Sequence, residues 1–545
     1  MPSREMFFIE DFRGGLNTDK TNRHTGKNEL KEALNVEYSE RGGVQKRKPY
    51  NVFHSFSTDR TVEGLLEWNM SGGNSELMAV LDNGDMIKVS DGTTVFNSAY
   101  IASGFDYEVL QEYLYILDGN DYYRVDDIEF NQEVVQAKDS SYYEYFAEER
   151  RDISLDTEYN LEYDELKDNS ETVQDSFGEE GEYTKDTDYT IDYPNGTITF
   201  LSGGSISSGQ NIYIEYEYFV ESDVDLSNIR KCTMLEMHNK SNRFFATGNP
   251  DDPSAIYYSE LLEPDNFKGY SVVYPTTNDG PVQGIETLND MLLVFYKNSV
   301  WAWRGIDPQQ DAVWEKLPLL HGTYNGKTLQ LTQNTLTFID LDGIYSLNSL
   351  KEAQNITEDK VSNVIKSIAN KGKVQAIFNS AESKYILAYA ETDSKSNKFL
   401  VGDWTLGSYA IWEIPDITDI VYTLDGEVYL SSGNEIQTQN DSYDTNVTMR
   451  IRTKEVLLQN PYSDKLITRV YVSLSNYTPS TTLKVILDDG VTKTFDVTSK
   501  TQRFDIQHNS VSVQLELEDT SAENIIIYDF GIEYKAVSTY RSDKR

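Results

Sequence analysis

Leu77-Met78-Ala79-Val80-Leu81-Asp82-Asn83-Gly84-Asp85-Met86-Ile87-Lys88-Val89 is the stretch on which the fold is decided. An apolar run enters a tight Asp-Asn-Gly turn, and a second run with apolar residues leaves it. Asn-Gly supplies the positive φ that a two-residue hairpin turn needs, so two paired strands are expected. The unit returns at Tyr113–Val125, Arg243–Ser259, Leu292–Trp303, Leu336–Leu347, Lys384–Trp404 and Glu427–Gln437. Start-to-start spacings are 36 for the first pair and 49, 44, 48 and 43 among the last five. One four-stranded propeller blade takes ~40–50 residues. Regular spacing predicts an all-β chain built on a β-propeller of roughly six to eight blades. Unrelated hairpins would share the turns but not the spacing.

The single long gap, between Tyr113 and Arg243, holds a different kind of sequence. Residues 126–225 carry 28 acidic and 5 basic side chains, a net of −23, whereas residues 1–60 carry 9 and 11. A dense acidic block often marks a disordered tail. Here it is internal, and its second half alternates: Tyr189, Ile191, Tyr193, a Pro194-Asn195-Gly196 turn, Ile198 and Phe200, then Ile212, Ile214, Tyr216 and Tyr218. Period-two alternation between turns reads as half-buried strands, so an inserted Ig-like β-sandwich module is expected. Beyond residue 445 five further alternating runs, Ile467–Leu474, Leu483–Leu487, Lys493–Val497, Val511–Leu517 and Ile525–Tyr534, predict a C-terminal β-sandwich. Helical signals are few: Asn28–Leu34, with Asn28 as N-cap, and Asp359–Ala369. The resulting division is 1–60, a segment packing on or completing the propeller; 61–130, first blades; 131–225, the insert; 226–440, remaining blades; 441–545, the sandwich.

Composition excludes several function classes. With 90 Asp+Glu against 48 Lys+Arg, the formal charge over 545 residues is −42. Gripping a phosphate backbone or an anionic membrane needs clustered cations, which this chain lacks. One cysteine, Cys232, cannot form an internal disulfide and reads as a small buried hydrophobe. The apolar stretch Phe7-Phe8-Ile9 is too short for a signal peptide, and the longest apolar run, Met291–Tyr296, is six residues. A protein made in a cytoplasm, with no membrane span, is expected.

Catalytic and cofactor motifs are missing. There is no phosphate loop, dinucleotide fingerprint or nucleophile elbow. His24, His54, His238, His321 and His508 stand far apart, without a second ligand at metal spacing, and read as surface or packing residues. Asp251-Asp252, Asp488-Asp489 and Glu179-Glu180 are carboxylate pairs of the kind glycosidases use, yet their neighbouring Pro and Gly make them turn residues. The Asp340-Leu341-Asp342-Gly343 turn lacks the rest of a calcium loop. Trp301, Trp303, Trp314, Trp404 and Trp412 are expected in blade cores rather than in a sugar-stacking platform. The densest basic run, Lys46-Arg47-Lys48 beside Glu37 and Glu40, reads as a solvated or intersubunit face. Neither a catalytic residue, a metal nor a cofactor is therefore expected.

Phe12-Arg13-Gly14-Gly15-Leu16-Asn17-Thr18, then Asn35-Val36, then Gly43-Val44-Gln45-Lys46-Arg47-Lys48-Pro49 form an ordered opening. It resembles the tail nozzle and tail hub proteins of short-tailed bacteriophages. The likeness continues through Asn242–Gly248, Ile256–Ser259, Leu292–Trp303 and Phe338–Tyr345, and Asp188–Phe200 is similar to Ig-like modules of phage structural proteins. The long acidic insert departs from the family's shorter members. The resemblance implies a virion structural protein, not an enzyme, forming a ring homo-oligomer, a homohexamer by expectation. Such a nozzle or hub continues the DNA channel, retains the genome and passes it during ejection. Implied partners are other copies and other tail proteins, on the adaptor or portal side and among fibres or spikes. DNA is then a transiting cargo without specific contacts. The alternative from another class is a glycan-binding or glycan-cleaving propeller acting as a receptor-binding protein or depolymerase.

Overall fold

The computed structural model describes residues 4–536 apart from 71–74, 111–112, 129, 135–137, 151, 165, 176–182, 222–225, 227, 237–241, 265, 268–270, 306–307, 309–312, 350–351, 441, 444 and 459–462. Each of the seven hairpins read from the sequence forms the two middle strands of a four-stranded antiparallel sheet. These seven sheets are propeller blades. Their innermost strands are Val62–Asn69, Asp106–Leu110, Lys231–Glu236, Gly284–Leu288, Gln330–Thr332, Gln375–Asn379 and the second half of Ser408–Tyr422. The 15-residue strand Ser408–Tyr422 serves two blades. It pairs with Ser396–Asp403 in blade 6, bends where Asp416 takes φ 54°, and pairs with Val428–Ser432 in blade 7.

Blade 7 takes its fourth strand from the other end of the chain. Tyr50–Ser55 pairs antiparallel with Glu435–Gln439, with Tyr50 opposite Gln439 and Ser55 opposite Glu435. The chain then passes directly into the first strand of blade 1. An open ring of sheets would leave unpaired edges at both ends; this strand removes the gap by backbone hydrogen bonds.

Loops between blades are pinned by one recurring device. The loop entering a blade bonds to the turn between that blade's second and third strands. Ser98 donates to Asp118 in blade 2, Ser299 donates to Asp279 at 2.6 Å in blade 4, and His321 Nδ1 meets Asp340 Oδ2 at 2.8 Å in blade 5.

The insert consists of two three-stranded sheets. One is Lys138–Arg150, Ile212–Glu221 and Thr172–Gln174; the other is Glu158–Asn160, Thr197–Phe200 and Tyr189–Asp192. Ile198, Phe200, Ile212, Ile214 and Tyr216 fill a core of its own. Gly196 takes φ 59° in the expected hairpin turn.

The C-terminal sandwich is not made from C-terminal residues alone. Glu5–Ile9 and Val44–Lys46 both pair with Ile526–Ala536. Glu29–Leu34 pairs with Met449–Thr453 in the facing sheet and touches blade 6 through Leu34 and Ile411. One hydrophobic core runs from Phe12 and Leu30 through Trp412 and Tyr389 to Ile467 and Phe530. The expected helix over Asn28–Leu34 is therefore a strand. Its Glu-Leu-Lys-Glu-Ala-Leu composition favours a helix by only tenths of a kcal/mol per residue, and pairing along the strand outweighs that. The second helical signal does form, as Ser362–Ser367. Asp19, from the amino-terminal segment, accepts hydrogen bonds from Ser362 N at 2.9 Å and Asn363 N at 2.8 Å at its start.

The basic run corrects another expectation. Lys46 is fully buried and ion-paired with Asp519, itself fully buried. Arg47 is 5% exposed; it donates to Asn35 Oδ1 at 2.9 Å, Lys48 O at 2.9 Å and Glu413 O at 3.0 Å. Its guanidinium lies 5.8 Å from the ring centres of both Tyr50 and Trp412. Lys46 is held inside the sandwich and Arg47 ties the same segment to blade 6, both buried within one chain, so neither side chain can form an intersubunit face. Lys48 is half-buried beside them.

Asp519 also accepts from Thr478 Oγ1 at 2.7 Å and Thr481 Oγ1 at 2.8 Å. Burial opposes its charge, but Lys46 and these hydroxyls prevail and hold its carboxyl down at about 2. A group with a depressed folded pKa stabilises above the unfolded value, near 4, and that contribution is lost as pH falls towards 2. Lys46→Met leaves a buried carboxylate unpaired and is expected to cost about 3–5 kcal/mol. Lys46→Met combined with Asp519→Asn, which removes the charge and keeps an acceptor for Thr478 and Thr481, should recover part of this loss. Urea unfolding at pH 7 checks both variants; equal losses in the single and double variants would refute the pairing argument.

Candidate functional site

Seven inner strands stand around the propeller axis without pairing to one another, so edge N–H groups face the channel and require acceptors. Acidic side chains provide them. Asp106 Oδ2 accepts from Cys232 N at 3.0 Å and Glu108 Oε1 from Met234 N at 3.0 Å, joining blade 2 to blade 3 across the point where the insert leaves and returns. Asp419 Oδ2 accepts from Leu65 N at 2.8 Å, joining blade 7 to blade 1. Gln375 Nε2 donates to Thr418 O at 3.0 Å between blades 6 and 7.

Two adjoining cavities, of about 300 and 400 Å³, share Asp106, Tyr107, Lys327 and Gln330 and form one channel. The first extends to Asp419 and Gln375, the second to Glu108, Lys231, Cys232 and Glu286. Burial pushes Glu108 up to about 8, with Glu286 and Asp106 adding repulsion. Burial likewise takes Glu286 to about 7. Asp106 and Asp419 are raised for the same reason. Lys231 is pulled down to about 8 by burial, against the attraction of Asp106, and its ammonium donates to Val282 O at 3.0 Å and Gln283 O at 2.6 Å. Burial raises the Cys232 thiol, which keeps it protonated and unreactive. Carboxyls raised this far can carry a proton near neutrality. Hydrogen bonds from neighbouring strands make Asp106, Glu108 and Asp419 ties between blades, whereas Glu286 accepts from Thr287 N of its own strand at 2.8 Å.

Spacing in the sequence concealed a second cluster. His321, Asp340 and Asp342 bring one nitrogen and two carboxylate oxygens within 4.8 Å of one another. Tyr345 stacks on His321 with ring centres 4.1 Å apart and donates to Asp342 at 2.9 Å. These groups have the donor types to hold a divalent cation, and the His321–Asp340 bond already satisfies two of them. Sequence spacing makes His321 an isolated surface or packing residue, because its partners lie a hairpin away.

The remaining sequence candidates disperse. Asp488 and Asp489 sit at a hairpin turn, where Asp489 accepts from His508 Nε2 at 2.8 Å and Val491 N at 3.0 Å. Asp252 accepts from Tyr274 OH at 2.5 Å, and Asp251 N donates to Asn249 in a turn. Glu179 and Glu180 lie outside the described residues. Trp303 and Trp412 are buried, while Trp301, Trp314 and Trp404 are half-buried. No described helix is long and apolar enough to cross a membrane.

No family model matches the chain, and no curated protein matches it. Solved structures do. The WD40 β-propeller domain of Doa1 is 8% identical, with 72% of this chain and 97% of that one covered, at a TM-score of 0.36. The WD40 domain of Neurospora crassa Pan2 is 8% identical, with 71% and 98% covered, at 0.35. PorZ, a component of the type-IX secretion system of Porphyromonas gingivalis, is 12% identical at 0.36; 84% of this chain aligns with 46% of that one. The strand topology makes this chain a β-propeller, and no function is taken from these similarities.

A raised carboxyl keeps its proton in the folded state after the unfolded chain has released it. Stability should therefore fall as pH rises from about 5 to 8. Glu108→Gln and Glu286→Gln can keep their acceptor oxygens and remove the charge. Each should raise stability at pH 8 by about 1–2 kcal/mol, the shift being discounted for water in the channel, and leave pH 5 unchanged. Thermal midpoints at both pH values check this; a gain of equal size at pH 5 would count against it.

Proposed function

We propose that this chain is a structural subunit of a bacteriophage tail, assembling into a ring that continues the DNA channel, retains the genome and lets it pass at ejection. The observation that carries this reading is the role of the motif behind the resemblance. Phe12 is fully buried against Phe530 at 6.0 Å. Gly15 takes φ 69°, and a Cβ there would lie 2.7 Å from Ser408. Asn17 donates to Asp359 O at 2.7 Å. Asn35, at φ 53°, donates to Thr448 O at 2.7 Å and accepts from Arg47 and Glu413 N, each at 2.9 Å. The shared residues therefore lock propeller and sandwich together, as a wall element under mechanical stress requires.

Charge supports the same reading. DNA carries one negative charge per ~1.7 Å, and a strongly acidic wall repels it rather than retaining it. The outward face of Glu5–Ile9 offers an assembly surface, where Met6 and Phe8 are exposed over Gly531. Contact between copies and with neighbouring tail proteins would use such faces.

Light scattering and negative-stain electron microscopy of the purified chain are expected to show a closed ring, sixfold by the resemblance. Phe8→Glu should weaken ring formation about tenfold or more while leaving the thermal midpoint unchanged. A chain that stays monomeric at every concentration and is absent from virions would sink the proposal.

A further inference from the structure

A cleft of about 560 Å³ lies between blades 5 and 6, away from the axial channel. Its volume is typical of small-molecule sites, which run from roughly 300 to 1,000 Å³. Thr335, Ser346, Asn348 and Gln354 come from blade 5; Asp403, Trp404 and Tyr409 come from the last hairpin of blade 6; Glu358 to Lys360 close one side.

Three observations define what would fit. First, the aromatic surface is held in place. Trp404 is half-buried, with Phe378 packed edge-on and Tyr385 tilted against it, both at 6.0 Å. Tyr409 is anchored by its hydroxyl, which donates to Ile356 O at 2.8 Å. Second, polar groups are available. Asn348, Gln354 and Glu358 are exposed and have no side-chain partner among the described residues. Asp403 uses Oδ1 to accept from Thr405 N and Leu406 N, each at 2.9 Å, which leaves Oδ2 for a ligand. Third, the charge is negative. Among the described residues lining the cleft, Glu358, Asp359 and Asp403 meet one cation, Lys360, whose ammonium is already held by Glu29 at 3.0 Å and Gly14 O at 2.8 Å.

An aromatic face beside amides and carboxylates matches the apolar face and hydroxyl rim of a sugar ring. Unpaired negative charge disfavours sulfated, phosphorylated or carboxylated ligands. We propose that this cleft binds a neutral saccharide, with Trp404 stacking on a sugar ring and Asn348, Gln354, Glu358 and Asp403 bonding to its hydroxyls. The proposal is independent of ring assembly, and each can fail without the other.

Saturation-transfer NMR on the full chain, with cellobiose, maltotriose, chitotriose and lactose as neutral probes and 3′-sialyllactose as an acidic one, tests it. At least one neutral probe should give saturable transfer at millimolar concentration, and the acidic probe should bind about tenfold more weakly or not at all. Trp404→Ala should abolish the signal. If that variant loses its fold, Gln354→Ala with Glu358→Ala still reads the cleft, because both residues are exposed. The double variant should weaken binding about tenfold with an unchanged thermal midpoint. Absence of saturable transfer from every neutral probe, or binding that the double variant leaves intact, overturns the proposal.

Discussion

Closure of the propeller by Tyr50–Ser55 is the constraint on which the rest of the structure depends. The segment must reach blade 7 from the amino terminus, and on its way it threads through the sandwich. Lys46 and Arg47 lie just before the closing strand, so their bonds to Asp519, Asn35 and Glu413 set where it begins. A loss at Lys46 is thereby felt in both domains. Breaking a buried ion pair from one side costs far more than the net value of the intact pair. The pair therefore acts as a positional lock more than as a source of stability.

The same economy governs the channel. Inner strands that do not pair with one another need acceptors for their edge N–H groups. Asp106, Glu108 and Asp419 supply them, at the expense of crowding like charges into a confined space. Their raised pKa values are a consequence of this arrangement. A perturbed carboxyl at the centre of a propeller therefore has a structural cause.

Legibility in the sequence tracked the range of the interaction. Hairpins were readable because turn chemistry and period-two alternation are local, and all seven sit where their spacing places them. The five C-terminal runs are strands for the same reason. Thr501–Ser510, also a strand, alternates less clearly in sequence. Glu29–Leu34 misled because its local preference is helical while its partners, Met449–Thr453 and Gly15–Leu16, lie elsewhere in the chain. The basic run misled in a related way: three adjacent cations look solvated unless Asp519 and Asn35 are known to be beside them. The cluster at His321 is hidden in the sequence because Asp340 and Asp342 come from the turn of the next hairpin.

The sequence by itself determined the all-β class, the repeated blade, the inserted acidic sandwich and five strands of the C-terminal sandwich, since each follows from alternation and turns within some tens of residues. Blade count and ring closure were decided only in three dimensions. One strand bends at Asp416 to serve two blades, and another arrives from nearly 400 residues away. The assignment of Lys46 and Arg47 to the interior, the carboxylate ties of the channel and the cleft beside Trp404 were decided there too. The physical reason is common to all of them: burial and pairing depend on which distant side chains share a space, and a linear pattern records only which neighbours share a strand.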